Sequence, residues 1–263
     1  MLNPNKGDAR YPDSLTPILY FPLFHYTSLK LLLFNNYGVR VYATSLPDTP
    51  AGRGPAGREA EAAAIKRLLR EAFPYGERPR IGHYSSGAPF LSDPDTDGNT
   101  PPTPLGGPWP SISISHCAAM VALATGPAGH NIGIDCETGN RRRQLSQIAS
   151  RFLSPTQMGA WSQWPMSLWA WTIKEALYKA ADIPGLNLAD IPLPHEIPVG
   201  NPTPDSTVLL PYPVGSPSAL AGNAASTTSG TPSATRLYSI LQIDSCGIPA
   251  MLTLAIPHDC MAN

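Results

Sequence analysis

The sequence predicts an α+β protein made of two similar halves. Two observations carry that reading. Strand-like segments flank helical ones, and the order strand, helix, strand runs twice along the chain. The length of 263 residues suffices for one large domain or two half-sized ones. Charged residues make up only 14%, against about a quarter in ordinary soluble domains. Proline, with 31 residues, is at roughly twice its usual share, so much of the chain runs as loops. A net charge of −1 gives no overall field for nucleic acid or an anionic membrane, so neither is expected as a partner.

Residues 1–14 are polar and read as a loose N-terminus. The run Leu15–Phe24 is broken by Pro17 and Pro22 and lacks a small-residue cleavage site, while Leu29–Phe34 is too short to span a bilayer. A cytoplasmic protein is therefore expected. An N-terminal half covers 15–110. In it, Leu31–Phe34 and Val39–Ala43 read as a hairpin around Asn35-Asn36-Tyr37-Gly38. Arg58–Phe73 reads as a helix with the stripe Ala62, Ile65, Leu68, Leu69 and Ala72. Gly82–Leu91 reads as one short extended segment, and 92–110 as a long loop rich in Asp, Pro and Gly.

The C-terminal, catalytic half covers 111–263. Ser111–Ala124 reads as two strands joined by a tight passage at His116, and Asn131–Glu137 as a third strand. Asn140–Phe152, Ser154–Trp161 and Leu168–Ala181 read as helices, the second with Ser154 as N-cap and Pro155 in first position. Composition marks 201–235 as a low-complexity insertion holding one strand near Val208–Leu210. Leu237–Ile243 and Met251–Ile256 close the chain as a hairpin. The four cysteines are far apart with no CxxC pair and read as free thiols.

Three clusters carry chemistry. In Gly133-Ile134-Asp135-Cys136-Glu137, strand alternation puts Asp135 and Glu137 on one face and Ile134 and Cys136 on the core face. Two carboxylates about 7 Å apart along a strand are either two solvated acids or oxygen ligands for a hard cation such as Mg²⁺. In Trp171-Thr172-Ile173-Lys174-Glu175-Ala176-Leu177-Tyr178-Lys179, helical spacing aligns Trp171, Glu175 and Lys179, with Lys174 about 100° round from Glu175. That is either an amphipathic helix with a Glu–Lys pair or a site for a phosphate ligand. Ser113-Ile114-Ser115-His116 is either a serine-rich edge strand with a turn histidine, or a hydroxyl and imidazole able to hold a phosphate.

The order SxSH, GxDxE, WxxKEAxxxK resembles the 4′-phosphopantetheinyl transferase superfamily, in its larger, pseudo-dimeric type that activates surfactin synthetase. The resemblance spans roughly Arg58 to Ala181 and includes Gly87-Ala88-Pro89-Phe90-Leu91 and Arg151-Phe152-Leu153-Ser154. It implies a pseudo-dimer of two α/β halves, monomeric as a chain, with the active site in the cleft between them. It implies an enzyme of the holo-acyl-carrier-protein synthase kind, which transfers 4′-phosphopantetheine from coenzyme A to a serine of an apo-carrier protein and releases 3′,5′-ADP.

Carried over by residue, the resemblance makes Asp135, Glu137 and Glu175 the ligands of Mg²⁺, or of Mn²⁺ in its place. Asp135, Glu175 and Lys179 become the catalytic groups, with Glu175 as the base for the incoming serine, directly or through water. Ser115 and His116 meet the 3′-phosphate of coenzyme A, and Lys179 its pyrophosphate. Lys174, Ala88, Pro89 and, more loosely aligned, Arg58 and Lys66 complete the coenzyme A contacts. Two positions depart from the family pattern: Ala88 stands where a basic residue is common, and Gln157 where an acid is common. Arg141-Arg142-Arg143 is either a solvated helix start or a dock for an acidic carrier. The pathway stays open among fatty-acid, polyketide and peptide synthesis. Two other readings compete: a Mg²⁺-dependent phosphohydrolase on the same carboxylates, and a pseudoenzyme that binds coenzyme A or a carrier without turnover.

Overall fold

The computed structural model describes residues 32–46, 54–75, 79–94, 109–183, 185–195, 206–212 and 234–261. The expected loose terminus at 1–14, the 95–108 stretch of the long loop and most of the 201–235 insertion lie outside the described residues.

The fold is α+β. Strands β1 (Leu32–Asn36) and β2 (Val39–Ser45) form the expected hairpin. Its turn narrows to Tyr37 and Gly38, both at positive φ, which suits the twist of a two-residue hairpin loop. Helix α1 (Pro55–Ala72) begins with proline in its first turn, three residues before the expected start. It buries Ala64, Leu68 and Ala72, with Ile65 and Leu69 half-buried beside them. Ala62 faces solvent, which corrects the expected stripe by about half a turn at its N-terminal end.

The segment expected as one extended piece is a small hairpin, β3 (Arg80–His83) and β4 (Pro89–Ser92). Strands β5 (Ser111–His116), β6 (Met120–Gly126) and β7 (Gly133–Glu137) follow. A 3₁₀ turn (Gly139–Arg141) leads into α2 (Arg142–Phe152), then α3 (Pro155–Trp161) and α4 (Met166–Ala181). Ser154 caps α3 through a capping box with Gln157. β8 (Thr207–Tyr212), β9 (Ala234–Ile243) and β10 (Met251–Pro257) complete the described strands.

Two four-stranded antiparallel sheets result, in the orders β1-β2-β6-β5 and β7-β10-β9-β8. The first draws strands from both sides of residue 110, and the chain changes sheet between Gly126 and Gly133. Alternation along the strands decides the layers. Val39, Val41, Ala43, Met120, Ala122 and Ala124 of the first sheet share one core with Ile134, Cys136, Leu241, Leu252 and Leu254 of the second. The opposite face of the first sheet, through Tyr42, Val121 and Leu123, packs on α1. The opposite face of the second, through Tyr238, Ile240 and Ala255, packs on α4. The order is helix, sheet, sheet, helix.

Candidate active site

The sheets meet edge to edge at β5 and β7, and each edge strand there has backbone groups without a ladder partner. The serine face of β5 supplies the partners. Ser113 Oγ accepts from the Ile134 amide at 3.1 Å, and Ser115 Oγ from the Cys136 amide at 3.2 Å. The alternation that sends Ile112 toward α1 thus turns hydroxyls onto the edge of β7. Ser115 Oγ also donates to Asp135 Oδ1 at 2.8 Å.

Gly133 lets α4 lie directly on β7. A Cβ there would sit 1.8 Å from the Ala176 carbonyl oxygen and 2.8 Å from the Ala180 nitrogen. This close approach lays the stripe Trp171, Glu175, Lys179 along the acids of β7. Lys179 Nζ donates to Asp135 Oδ1 at 2.8 Å and to the Ile134 carbonyl at 2.9 Å, and lies 3.3 Å from Ser115 Oγ. At the other end, Arg141 pairs with Glu137 and lies over the Trp171 ring, 5.3 Å from its centroid. The second Glu137 oxygen accepts from the Thr138 amide at 2.9 Å.

Glu175 sits between these two pairs. Burial raises its carboxyl above the usual carboxylate range, and the charges of Asp135 and Glu137 push the same way, against the cations of Lys179 and Arg141. One helix and one strand have therefore brought Asp135, Glu137, Glu175 and Lys179 into one electrostatic neighbourhood, with Ser115 attached to it. A pocket of about 310 Å³ opens beside Glu175, lined by Arg151, Tyr178, Leu186, Asn187 and Leu188.

The other expected contacts are placed differently. His116, at the exposed end of β5, lies 3.7 Å from Glu61 of α1. Arg58, one turn before Glu61, and Lys66 are exposed on α1. Ala88 and Pro89 are half-buried at the start of β4. Lys174, expected to contact phosphate, turns away from the acids. It is wholly buried and donates to Gln157 Oε1 at 2.9 Å, the Leu188 carbonyl at 2.8 Å and the Ile191 carbonyl at 2.5 Å. Three acceptors use all three ammonium donors, so none is left for a phosphate. Gln157, at the family's acidic position, also caps α3 by accepting from the Ser154 amide at 3.0 Å.

Arg141 is the site residue that sequence reasoning assigned elsewhere. Its signal was the i, i+4 spacing from Glu137, legible once the turn after β7 is read as helical. Arg142 and Arg143 remain exposed.

Asp135 Oδ2 is buried and has no hydrogen-bond partner. A desolvated carboxylate oxygen calls for a donor or a cation, and an all-oxygen donor set beside it fits Mg²⁺. The acids nevertheless stand apart while Lys179 and Arg141 engage them. Among the described residues, the group of three metal-ligating side chains with ligand atoms within 4.8 Å of one another is His130, Asp259 and Cys260.

Residues 131–207 match the family model of the 4′-phosphopantetheinyl transferase superfamily. The matched segment, which is less than half of the chain, is similar to a domain of this superfamily. Comparison with curated proteins gave no match. The superfamily transfers phosphopantetheine from coenzyme A to carrier proteins and generally depends on Mg²⁺. The matched transferase segment holds β7, α2, α3 and α4, hence Asp135, Glu137, Lys174, Glu175 and Lys179. Arg58, Lys66, Ala88, Pro89, Ser115 and His116 precede it. Among the described residues, no helix is long and apolar enough to cross a membrane.

Proposed function

We propose that this protein transfers the 4′-phosphopantetheine arm of coenzyme A to a serine of an apo-carrier protein, with Mg²⁺ held by Asp135, Glu137 and Glu175. The observation that carries the reading is the buried, partnerless Oδ2 of Asp135 beside two further acids and one lysine. Bound Mg²⁺ would neutralise diphosphate charge during the transfer.

The protein's own residues have separable tasks. Lys179 is bonded to Asp135, the Ile134 carbonyl and Ser115 but, unlike Lys174, is 28% exposed; it would exchange one of these acceptors for a diphosphate oxygen and balance charge on the departing phosphate. Glu175 is the candidate base for the proton of the carrier serine, directly or through a water. The serine oxygen bonds to the β-phosphorus, the bond to the bridging oxygen breaks, and 3′,5′-ADP leaves. His116, at the exposed end of β5, is assigned to the 3′-phosphate, with Arg58 and Lys66 of α1 and the Ala88–Pro89 turn on the nucleotide side, while Ser115 is assigned to hold Asp135 and Lys179 in place. A pseudo-dimeric chain acting as a monomer in the cytoplasm fits this reading.

The test is intact-mass spectrometry of an apo-carrier incubated with coenzyme A and Mg²⁺. The carrier should gain the mass of the phosphopantetheine arm, and Asp135→Ala should abolish the gain while keeping the circular dichroism of the wild type. Cleavage of coenzyme A without carrier modification would instead identify a phosphohydrolase, and binding without turnover a pseudoenzyme.

A further inference from the structure

Where the turn between β6 and β7 passes the end of β10, three side chains of metal-ligating type meet outside the acid cluster. His130 Nδ1, a carboxylate oxygen of Asp259 and Cys260 Sγ all lie within 4.8 Å of one another. His130 Nδ1 is 3.8 Å from Asp259 Oδ1, and Cys260 Sγ is 4.0 Å from the same oxygen. His130 Nδ1 is also buried and has no hydrogen-bond partner. A ring nitrogen cut off from water in this way is a standing cost unless something occupies its lone pair or takes its proton.

The donor set selects the ion. A thiolate and an imidazole are poor ligands for Mg²⁺ and good ones for Zn²⁺. Tetrahedral zinc with its usual bond lengths sets neighbouring ligand atoms about 3.3–3.7 Å apart, a few tenths shorter than the two separations from Asp259 Oδ1. The carboxylate is already oriented, because Asp259 Oδ2 accepts from Arg236 Nη2 at 3.2 Å and leaves Oδ1 toward the cluster. Such an outer partner is a regular feature of ligating carboxylates.

We propose that His130, Asp259 and Cys260 form a zinc site with one open position. The site would tie the turn that crosses between the sheets to the end of β10, and so brace β7 at the end opposite Glu137. Binding would release the thiol proton to solvent.

The test uses the full chain, stripped of metal and titrated with Zn²⁺ against a competing chromophoric chelator. One equivalent should bind to the wild type and equally to Asp135→Asn. The affinity should fall at least about 100-fold in His130→Ala and in Cys260→Ser. Co²⁺ in place of Zn²⁺ should give a thiolate-to-cobalt charge-transfer band that Cys260→Ser lacks. Any of three results overturns the proposal: no stoichiometric zinc on the wild type, wild-type affinity in His130→Ala, or loss of the ion in Asp135→Asn. Since the His130 side chain is one-third exposed, His130→Ala keeps the test decisive if Cys260→Ser misfolds. Carrier modification is not measured here, so the outcome is independent of the transferase reading.

Discussion

Gly133→Ala tests whether the contact between β7 and α4 builds the site. The added methyl carbon would lie 1.8 Å from the Ala176 carbonyl oxygen, and 2.8 Å from both the Ala176 carbonyl carbon and the Ala180 nitrogen. Even a close carbon–oxygen contact needs about 3.3 Å, so the shortfall is roughly 1.5 Å. All three atoms are helix backbone, and no side-chain rotation relieves the clash. Helix α4 must lift from the strand, opening the contact of Ala176 and Ala180 with the second sheet. Overpacking of a well-filled core costs about 1–3 kcal/mol, and more where backbone must move. We expect about 3 kcal/mol, which for a chain of this size lowers the melting temperature by roughly 6–12 °C. Because Glu175 and Lys179 ride on α4, the same lift lengthens the 2.8 Å pair between Lys179 and Asp135. Transfer activity should therefore fall more than the unfolded fraction accounts for when assayed well below the melting point. Urea denaturation and the mass-gain assay, run on the same preparation, provide the check. A variant with wild-type midpoint and wild-type rate would refute the contact-built site.

Three further outcomes follow from the same geometry. Ser113→Ala leaves the Ile134 amide at the sheet edge unpaired and should cost about 1–3 kcal/mol in urea unfolding, with a smaller effect if water enters the junction. Burial holds the Lys174 ammonium down at about 8, while the unfolded chain keeps that proton to about pH 10.4. The unfolded state thus binds more protons across that window, and wild-type stability should gain about 3 kcal/mol relative to Lys174→Met as pH rises through it. Equal pH slopes for the two proteins would contradict this. Glu175 has the opposite sign: its raised folded pKa means the folded state binds more protons above the ordinary carboxylate range, so ionisation there opposes folding. In metal-free buffer Glu175→Gln should be more stable than wild type at neutral pH, lose that advantage as pH falls below about 4.3, and transfer nothing.

The parts of this molecule that were legible in the sequence are those set by local pattern. Alternation in Gly133–Glu137 separated the acids from Cys136, and the spacing in α4 aligned Glu175 with Lys179. Ser154 and Pro155 gave the start of α3 correctly. The error at Ala62 arose because an alanine-rich helix start offers several nearly equivalent stripes, and packing against Tyr42 and Leu123 chose the one through Ala64. The hairpin of β3 and β4 was hidden because its strands have four residues each, too few for alternation to register. The direction of Lys174 was beyond local pattern altogether. Its acceptors, Gln157, Leu188 and Ile191, belong to segments that only the tertiary fold brings to α4. Ser113 and Ser115 were read for their chemistry, yet their hydroxyls also satisfy the edge of β7, a need that appears only once the two sheets meet.

The charge arrangement on α4 and β7 gives the candidate site its character. Three acids share two cations of the chain: Lys179 is committed to Asp135, and Arg141 to Glu137. Glu175 is left without an ion pair of its own, and its carboxyl is pushed upward by burial and by the other two acids. With all five groups ionised the cluster carries one net negative charge in a partly desolvated place. A divalent cation changes that sum to one positive charge, the sign that suits an approaching diphosphate. Neither charge alone does both jobs, because a permanently positive cluster would repel the ion and a permanently negative one would repel the nucleotide. The arrangement therefore predicts that affinity for coenzyme A, which carries the diphosphate, rises when Mg²⁺ is added, and calorimetric titration with and without the ion measures it. If coenzyme A binds equally well in both cases, the acids are not the hinge between ion and phosphate.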